Sequence, residues 1–276
     1  MTGKSTENAL SFYQENTFDR DKWFKVAAVD YIELCKLFDF PAFFQSTTHP
    51  CHLLDIGCGT GKFPQILHPH LHNTQDIIYD YLDPSEYSLK QTKNFLKPPY
   101  MPRTAYQTIA EDIILKNRDA VPTLYDMIWT IHSAYYLQRN TLAPLLNGLV
   151  KKLRKDTSVF MVYLASKNSS YHEINALEKE LLPEKGNNDF VWAEDIDDIL
   201  RNSHGDRYTC TPVTFAHTIS QDDEDILERY LQQCTLSDIT LSAWRAHSNA
   251  GKWLEEKKSG KAYNFSQTVM LMQVRG

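Results

Sequence analysis

Short apolar segments alternate with amphipathic segments through the first 165 residues of the chain. Five apolar segments are rich in β-branched and aromatic residues, which favour strands, and helical spacing of apolar residues separates them. The predicted strands cover residues 52–56, 77–82, 103–109, 125–131 and 158–165. A loop is predicted at Pro98, Pro99 and Pro102. Strands that alternate with helices are typical of α/β proteins with a doubly wound sheet.

The rest of the chain is predicted to complete this sheet and to cover it. Residues 8–46 show helical spacing, residues 207–219 are predicted to be extended, and residues 263–274 alternate as a last strand. We therefore expect a mainly parallel, seven-stranded sheet in one domain, 1–276, with helical caps at both ends. Its expected parts are a helical lid at 1–48, a core at 49–166, a substrate-side cap with the sixth strand at 167–260, and a closing strand at 261–276.

Composition and charge narrow the classes of partner. Of the 276 residues 42% are hydrophobic, which suffices for a buried core, and 29 basic against 35 acidic residues give a net charge of −6 without a like-charged block. Nucleic acid and anionic membranes are therefore disfavoured. No apolar run suits a signal peptide or a membrane span, so a cytoplasmic protein is expected, with a monomer favoured.

The side chains that could bind a metal do not form a recognisable motif. The five cysteines are scattered and include no C-x-x-C pair, which favours a reduced, intracellular chain without a zinc site. His68, His70 and His72 alternate across Pro69 and have no firm ligand geometry. No metal is expected.

A glycine cluster follows the first predicted strand. The sequence Asp55-Ile56-Gly57-Cys58-Gly59-Thr60-Gly61 precedes a predicted helix. Glycines allow a sharp turn and a close approach of the backbone to a ligand, and the helix N-terminus favours a negative group. The spacing differs from the dinucleotide motif G-x-G-x-x-G, because Lys62 occupies the third small-residue position.

The segment LLDIGCGTG resembles the first motif of the class I S-adenosylmethionine-dependent methyltransferases. The resemblance implies S-adenosylmethionine as the cofactor, with its methionine part beside Asp55, Gly57, Gly59 and Gly61. It also implies that an acid after the second strand binds the ribose hydroxyls, because one carboxylate can accept two hydroxyl donors. That acid is Asp83, with Asp80 as the alternative if the strand ends earlier.

The same family resemblance extends to the third and fourth predicted strands. Glu111 and Asp112 occupy the position that contacts the adenine edge, and Asp112 is favoured. The segment from Tyr125 to His132 ends at the carboxyl end of a strand, where ligands bind in doubly wound sheets. Ile131 is accordingly expected beside the cofactor, and His132 beside the reacting groups.

A further resemblance concerns the methyl acceptor. Four segments, YLDPSEYSLKQTKNF, YDMIWTIHSAYYLQR, WAEDIDDIL and KSGKAYNFSQTVMLM, are similar in order and spacing to small-molecule methyltransferases of the histamine N-methyltransferase type. This implies a small nitrogenous acceptor held by His132, Asp19 and Ser266. The family has an amide where His132 stands and an asparagine where Ser266 stands, so only the substrate class is carried over.

His132 could position or deprotonate an amine, since its unperturbed pKa is near 6.5, and Tyr135 and Tyr136 could offer aromatic faces to a cation. A hydrogen-bonded loop histidine and two packing tyrosines are the structural alternatives. The predicted function is methyl transfer to a nitrogen of a small amine or imidazole. Two alternatives stay open: an O-methyltransferase of a secondary metabolite, and a cofactor-binding but catalytically silent partner protein.

Overall fold

The computed structural model describes residues 20–276, apart from residues 48, 73, 117–123, 155–156 and 184–189. The strands are β1 Cys51–Ile56, β2 Ile77–Leu82, β3 Tyr100–Tyr106, β4 Met127–Ile131, β5 Val159–Ala165, β6 Tyr208–Ser220, β7 Lys258–Ser259 and β8 Ala262–Arg275. The helices are α1 Arg20–Leu37, α2 Phe40–Ser46, α3 Lys62–Leu67, α4 Glu86–Phe95, α5 Leu142–Val150, α6 Ser170–Leu181, α7 Ala193–His204, α8 Glu224–Thr235, α9 Leu241–Ala246 and α10 Ser248–Glu256. A π-helical turn covers Asp112–Lys116.

The strands form one sheet in the order β3-β2-β1-β4-β5-β8-β6, and the two-residue β7 pairs with β8. The pairs among β1 to β5 are parallel, whereas β8 runs antiparallel to both β5 and β6. The mainly parallel, seven-stranded, doubly wound α/β sheet expected from the sequence is confirmed. The strand order reverses between β1 and β4, and such a switch point opens a crevice at the carboxyl ends of the strands.

The sheet separates two apolar layers because successive side chains point to opposite faces. Leu53 packs with buried residues of α1, α2 and α3, whereas its neighbour Leu54 packs with those of α5 and α7. A third cluster joins α6, α8, α9 and α10 to Tyr263 and Phe265 of β8. The carboxyl ends of the central strands are thereby covered by α1 on one side and by the region after β5 on the other.

β3 differs from the sequence expectation. It begins at Tyr100 and ends at Tyr106, so Pro102 lies within a strand and not in a loop. A proline cannot donate a ladder hydrogen bond, but β3 is an edge strand that pairs only with β2, where the missing donor is tolerated. The ladder shifts register between Tyr79 and Tyr81 of β2. The expected strand at 103–109 was therefore displaced by three residues.

Within the part of the chain that the structure describes, no helix has the length and apolar character needed to span a membrane.

Candidate functional site

A cavity of about 280 Å³ lies at the carboxyl ends of β1, β2 and β4. The glycine loop and Asp83 line one part of it, and Ile109 to Glu111 line the adjacent part. The other side is formed by the end of β4, by α1, and by aromatic residues of later segments: Tyr135, Tyr136, Tyr171, Phe190 and Trp192. The predicted glycine motif and the predicted strand-four residues thus meet in one cavity.

The glycine loop has a conformation that requires glycine. Gly57, Gly59 and Gly61 have φ angles of 70°, 54° and 73°, in the left-handed region that side chains rarely adopt. A Cβ at Gly57 would overlap Ser133, and one at Gly61 would lie 3.0 Å from Thr92 Cα. Gly59 lines the cavity, and a Cβ at this position would meet no atom within 4 Å. Gly59 therefore leaves open the space that a ligand can fill.

Asp83 connects the glycine loop to the turn after β2. Its Oδ2 accepts a hydrogen bond from Gly59 N over 3.0 Å, and its Oδ1 accepts one from Ser85 N over 2.9 Å. Asp83 lines the cavity, and a carboxylate has about four acceptor sites in all. The alternative acid, Asp80, is fully buried among Arg103, Thr104 and Tyr125 and does not line the cavity.

Asp55 lies at the start of the glycine loop and lines the cavity, but it is only 4% exposed. Burial raises the pKa of its carboxyl group to about 7, and the nearby charge of Asp83 acts in the same direction. The Tyr79 hydroxyl donates to Asp55 Oδ2 over 2.6 Å and opposes this shift. Asp55 can therefore change its charge near neutral pH when a cation binds beside it.

The segment after β3 reaches the cavity with Ile109, Ala110 and Glu111 and not with Asp112. Glu111 is buried, and its Oε1 accepts a hydrogen bond from Gln138 N over 2.9 Å. Asp112 is partly exposed and forms an ion pair with Lys116 one turn later. The sequence analysis favoured Asp112, but the structure brings its neighbour to the cavity.

His132 follows β4 directly and has a strained backbone. Its φ angle of 50° is unusual for a residue other than glycine, and its N–H donates to Tyr163 O over 2.9 Å. Strain of this kind concentrates at functional sites, where the surrounding structure holds it. The ring lies in the cavity wall, and its Nδ1 is 3.0 Å from the Tyr135 hydroxyl. Ile131 also lines the cavity, as expected.

An acid of α1 meets His132 in the cavity wall. Asp30 is 1% exposed, and its Oδ1 is 3.2 Å from His132 Nε2. The two atoms are not aligned as a hydrogen bond, and neither has another hydrogen-bond partner among the described residues. Among the described residues, the Asp30 oxygen and the His132 nitrogen therefore have only each other as a polar neighbour at this place.

A second histidine holds the other oxygen of Asp30. His217 of β6 is fully buried, with Nε2 2.6 Å from Asp30 Oδ2 and Nδ1 3.0 Å from the Tyr230 hydroxyl. Burial alone raises the pKa of Asp30, but the attraction of His217 and then of His132 outweighs it and lowers the pKa below its usual range. Asp30 is therefore a buried carboxylate between two imidazoles.

Of the other residues expected to bind the acceptor, some line the cavity and some do not. Tyr135 and Tyr136 both line it. Ser266 is exposed on β8 opposite Ala216 and does not line the cavity, whereas its buried neighbour Gln267 donates to the Tyr230 hydroxyl. Asp19 lies outside the described residues.

The sequence analysis did not identify Asp30 or His217, although the sequence contains a signal for each. Asp30 lies in the apolar stripe that Val26, Ala27, Tyr31 and Leu34 form along α1, and all five are buried. An acid within such a stripe needs buried partners, which makes it a candidate site residue. His217 lies midway between the apolar Phe215 and Ile219 along β6. Residues two positions apart share a face of a strand, so His217 lies on the same face as these two residues.

No cluster of three or more His, Cys, Asp or Glu side chains suited to a metal ion occurs among the described residues.

Comparisons with known proteins agree with the sheet topology. No protein-family model and no curated protein sequence matches the chain. The solved structure of a putative methyltransferase from Bacillus halodurans C-125 is similar with a TM-score of 0.55 and 13% identity, over 90% of this chain and 98% of that chain. The plantazolicin methyltransferase BpumL in complex with SAH is similar with a TM-score of 0.54 and 14% identity, over 99% of this chain and 95% of that chain. The chain therefore has the fold expected from its glycine motif, that of the class I methyltransferases.

Proposed function

We propose that the protein transfers a methyl group from S-adenosylmethionine to a nitrogen atom of a small acceptor, an amine or an imidazole. One observation carries the proposal: the glycine loop with Asp83 and the pair of Asp30 and His132 open into the same cavity. The BpumL structure, which has this fold, contains SAH. A cofactor against the glycine loop would lie next to the polar atoms of this pair, which suit a nitrogenous acceptor.

The cofactor half of the site follows from the loop. Gly59 leaves room for the methionine part, Asp55 can pair with its ammonium group, and the Asp83 carboxylate, which lines the cavity, is the acceptor for the two ribose hydroxyls. We place the adenine against Ile109 to Glu111, because these residues line the adjoining wall. Ile131 packs at the boundary between this half and the acceptor half.

The acceptor half supplies charge and alignment. The bound cofactor supplies an electrophilic methyl group on a sulfonium ion, and its displacement needs a nucleophile with a free lone pair held in line. The Asp30 carboxylate attracts a cationic amine, and its buried position strengthens that attraction because the local dielectric constant is low. The aromatic rings of Tyr31, Tyr135 and Tyr171 exclude water and offer π-faces to a cation.

The proposal is tested by binding and by transfer. Calorimetry with SAH should give a one-to-one complex, and incubation with radiolabelled S-adenosylmethionine and a panel of small amines, imidazoles and phenols should label an amine or an imidazole. Label on phenols alone would instead establish an O-methyltransferase. SAH binding without transfer to any acceptor would contradict catalysis, and absence of SAH binding would contradict the whole proposal.

The pKa of Asp55 predicts how pH affects cofactor binding. Below about pH 7 the free protein holds a proton on Asp55, and an ammonium group that pairs with the carboxylate must displace it. SAH affinity should therefore fall by about tenfold for each pH unit below 7 and level off above it. Calorimetry between pH 5.5 and 8 measures this slope. In Asp55→Asn the affinity should be lower at pH 8 and independent of pH across that window; an unchanged slope would exclude Asp55 as its source.

A further inference from the structure

The hydroxyl proton of Tyr135 has a defined direction. The backbone N–H of Ala165 donates to Tyr135 Oη over 3.1 Å, and His132 Nδ1 lies 3.0 Å from the same oxygen. An ionised carboxylate can only accept, so His132 Nε2, which lies 3.2 Å from Asp30 Oδ1, is the ring nitrogen that carries hydrogen. In a neutral imidazole Nδ1 is then an acceptor, and the Tyr135 hydroxyl donates to it.

A second chain of hydrogen bonds ends at the other carboxylate oxygen of Asp30. Tyr171 N–H donates to Gln267 Oε1 over 3.3 Å, which fixes the amide so that Gln267 Nε2 donates to Tyr230 Oη over 2.9 Å. His217 Nε2 donates to Asp30 Oδ2 over 2.6 Å, because a carboxylate can only accept, and in a neutral ring His217 Nδ1 then accepts from the Tyr230 hydroxyl over 3.0 Å. In their neutral form both histidines therefore have the same tautomer, Nε2–H, with Asp30 as the carboxylate between them.

We propose that Tyr135 and His132 form a proton relay that Asp30, His217 and Tyr230 hold in place, and that this relay takes one proton from an acceptor that arrives as an alkylammonium ion. The proposal rests on the proposed function and specifies its substrate class. His132 cannot itself be the direct base through Nε2, because that atom already carries a proton. Its basic lone pair is on Nδ1, 3.0 Å from the hydroxyl of Tyr135, and Tyr135 lines the cavity.

Tyr135 is the entry point of the relay because of its position. It lines the cavity, whereas Tyr230 and His217 lie behind Asp30, and His217 is fully buried. Asp30 Oδ1, which lacks an aligned partner among the described residues, can hold another hydrogen of the same ammonium group. His217 and Tyr230 are positioning residues, since they fix Asp30 and touch neither acceptor nor cofactor.

Two protons move when the relay deprotonates the acceptor. One N–H bond of the ammonium ion breaks, its proton forms a new O–H bond at Tyr135, and the former Tyr135 proton moves to His132 Nδ1. The nitrogen keeps the electron pair and uses it to form the bond to the methyl carbon, while the electrons of the carbon–sulfur bond go to sulfur. The relay and Asp30 together pass from a net charge of −1 to neutral, as an imidazolium ion beside the carboxylate. Burial of an isolated charge is costly, so this neutralisation favours proton uptake.

The relay predicts a selective effect of Tyr135→Phe. The variant should lose about a hundredfold in kcat on the best alkylamine of the panel, because a positioned proton acceptor contributes about that much. On an imidazole that is neutral at pH 8 it should lose less than about threefold, since no proton has to be removed before attack. SAH affinity should be unchanged. An equal loss on both acceptors, or no loss on either, would overturn the relay.

Tyr163→Phe is the matched control. The Tyr163 ring packs against His132 at 5.2 Å between centroids, but its buried hydroxyl has no hydrogen-bond partner among the described residues. Its kcat should therefore match that of the wild type on both acceptors.

Two further results separate the relay from the proposed function. A wild-type protein that methylates imidazoles but no alkylamine would overturn the relay and leave methyl transfer intact. The relay also has a readout without catalysis: nitrogen-15 NMR at pH 8 should show His132 and His217 as Nε2–H tautomers, with His132→Gln and His217→Gln used for assignment. An Nδ1–H tautomer at His132 would overturn the relay even if transfer is observed.

Discussion

Gly59→Arg is expected to abolish SAH binding while leaving the protein folded. A Cβ at Gly59 would meet no protein atom within 4 Å, so the arginine side chain begins in open space. Because Gly59 lines the cavity, the side chain would instead occupy the space assigned to the cofactor. Calorimetry should detect no binding at concentrations a hundredfold above the wild-type Kd, and circular dichroism should show an unchanged spectrum.

Gly260→Arg is the control for backbone strain. Gly260 has a φ angle of 59°, close to the 54° of Gly59, and it too has no atom within 4 Å of a Cβ. It lies between β7 and β8 and does not line the cavity. A side chain in this conformation costs about 1–2 kcal/mol of stability at either position. Only Gly59→Arg should lose SAH binding. If both variants lost SAH affinity equally, backbone strain and not occupation of the cavity would be the cause.

The sheet and the glycine loop could be predicted because their determinants are local in the sequence. β2 was placed at Ile77–Leu82 from its apolar run alone, and the glycine loop was found from adjacent residues. The prediction was wrong at Pro102, since the edge position that makes a proline acceptable depends on the order of strands in the sheet. Strand order is not encoded in any single segment.

The contact between Asp30 and His217 could not be predicted from a single segment, because the two residues come from distant parts of the chain. Asp30 and His217 are 187 residues apart in sequence, yet their side chains are 2.6 Å apart. The family resemblance implied Asp19 and Ser266 as acceptor-binding residues; Asp19 lies outside the described residues, and Ser266 does not line the cavity. On β8 a shift of one residue separates exposed Ser266 from buried Gln267, since a strand alternates between its two faces.

Asp30→Asn is expected to reduce kcat/KM for amine acceptors by about a hundredfold, which corresponds to the loss of hydrogen bonds to a charged group. The asparagine keeps the shape of the side chain but has only one acceptor oxygen, and its amide group would face an N–H of His132 or of His217. One histidine must then change tautomer or lose its partner. The free energy of unfolding should fall by about 1–3 kcal/mol, the cost of an unsatisfied buried polar group.

The Kd for SAH shows whether the loss of kcat/KM in Asp30→Asn comes from weaker use of the acceptor or from weaker cofactor binding. Asp30 lies on α1 and makes its hydrogen bonds to the acceptor side, so the Kd for SAH in Asp30→Asn should stay within about twofold of the wild type. Glu33→Gln provides the control for charge on the same helix, because Glu33 is one turn away and pairs with Lys36 over 2.6 Å. Its kinetics should match the wild type. If Glu33→Gln lost as much activity as Asp30→Asn, the effect would come from the net charge of α1 and not from a carboxylate held between two histidines.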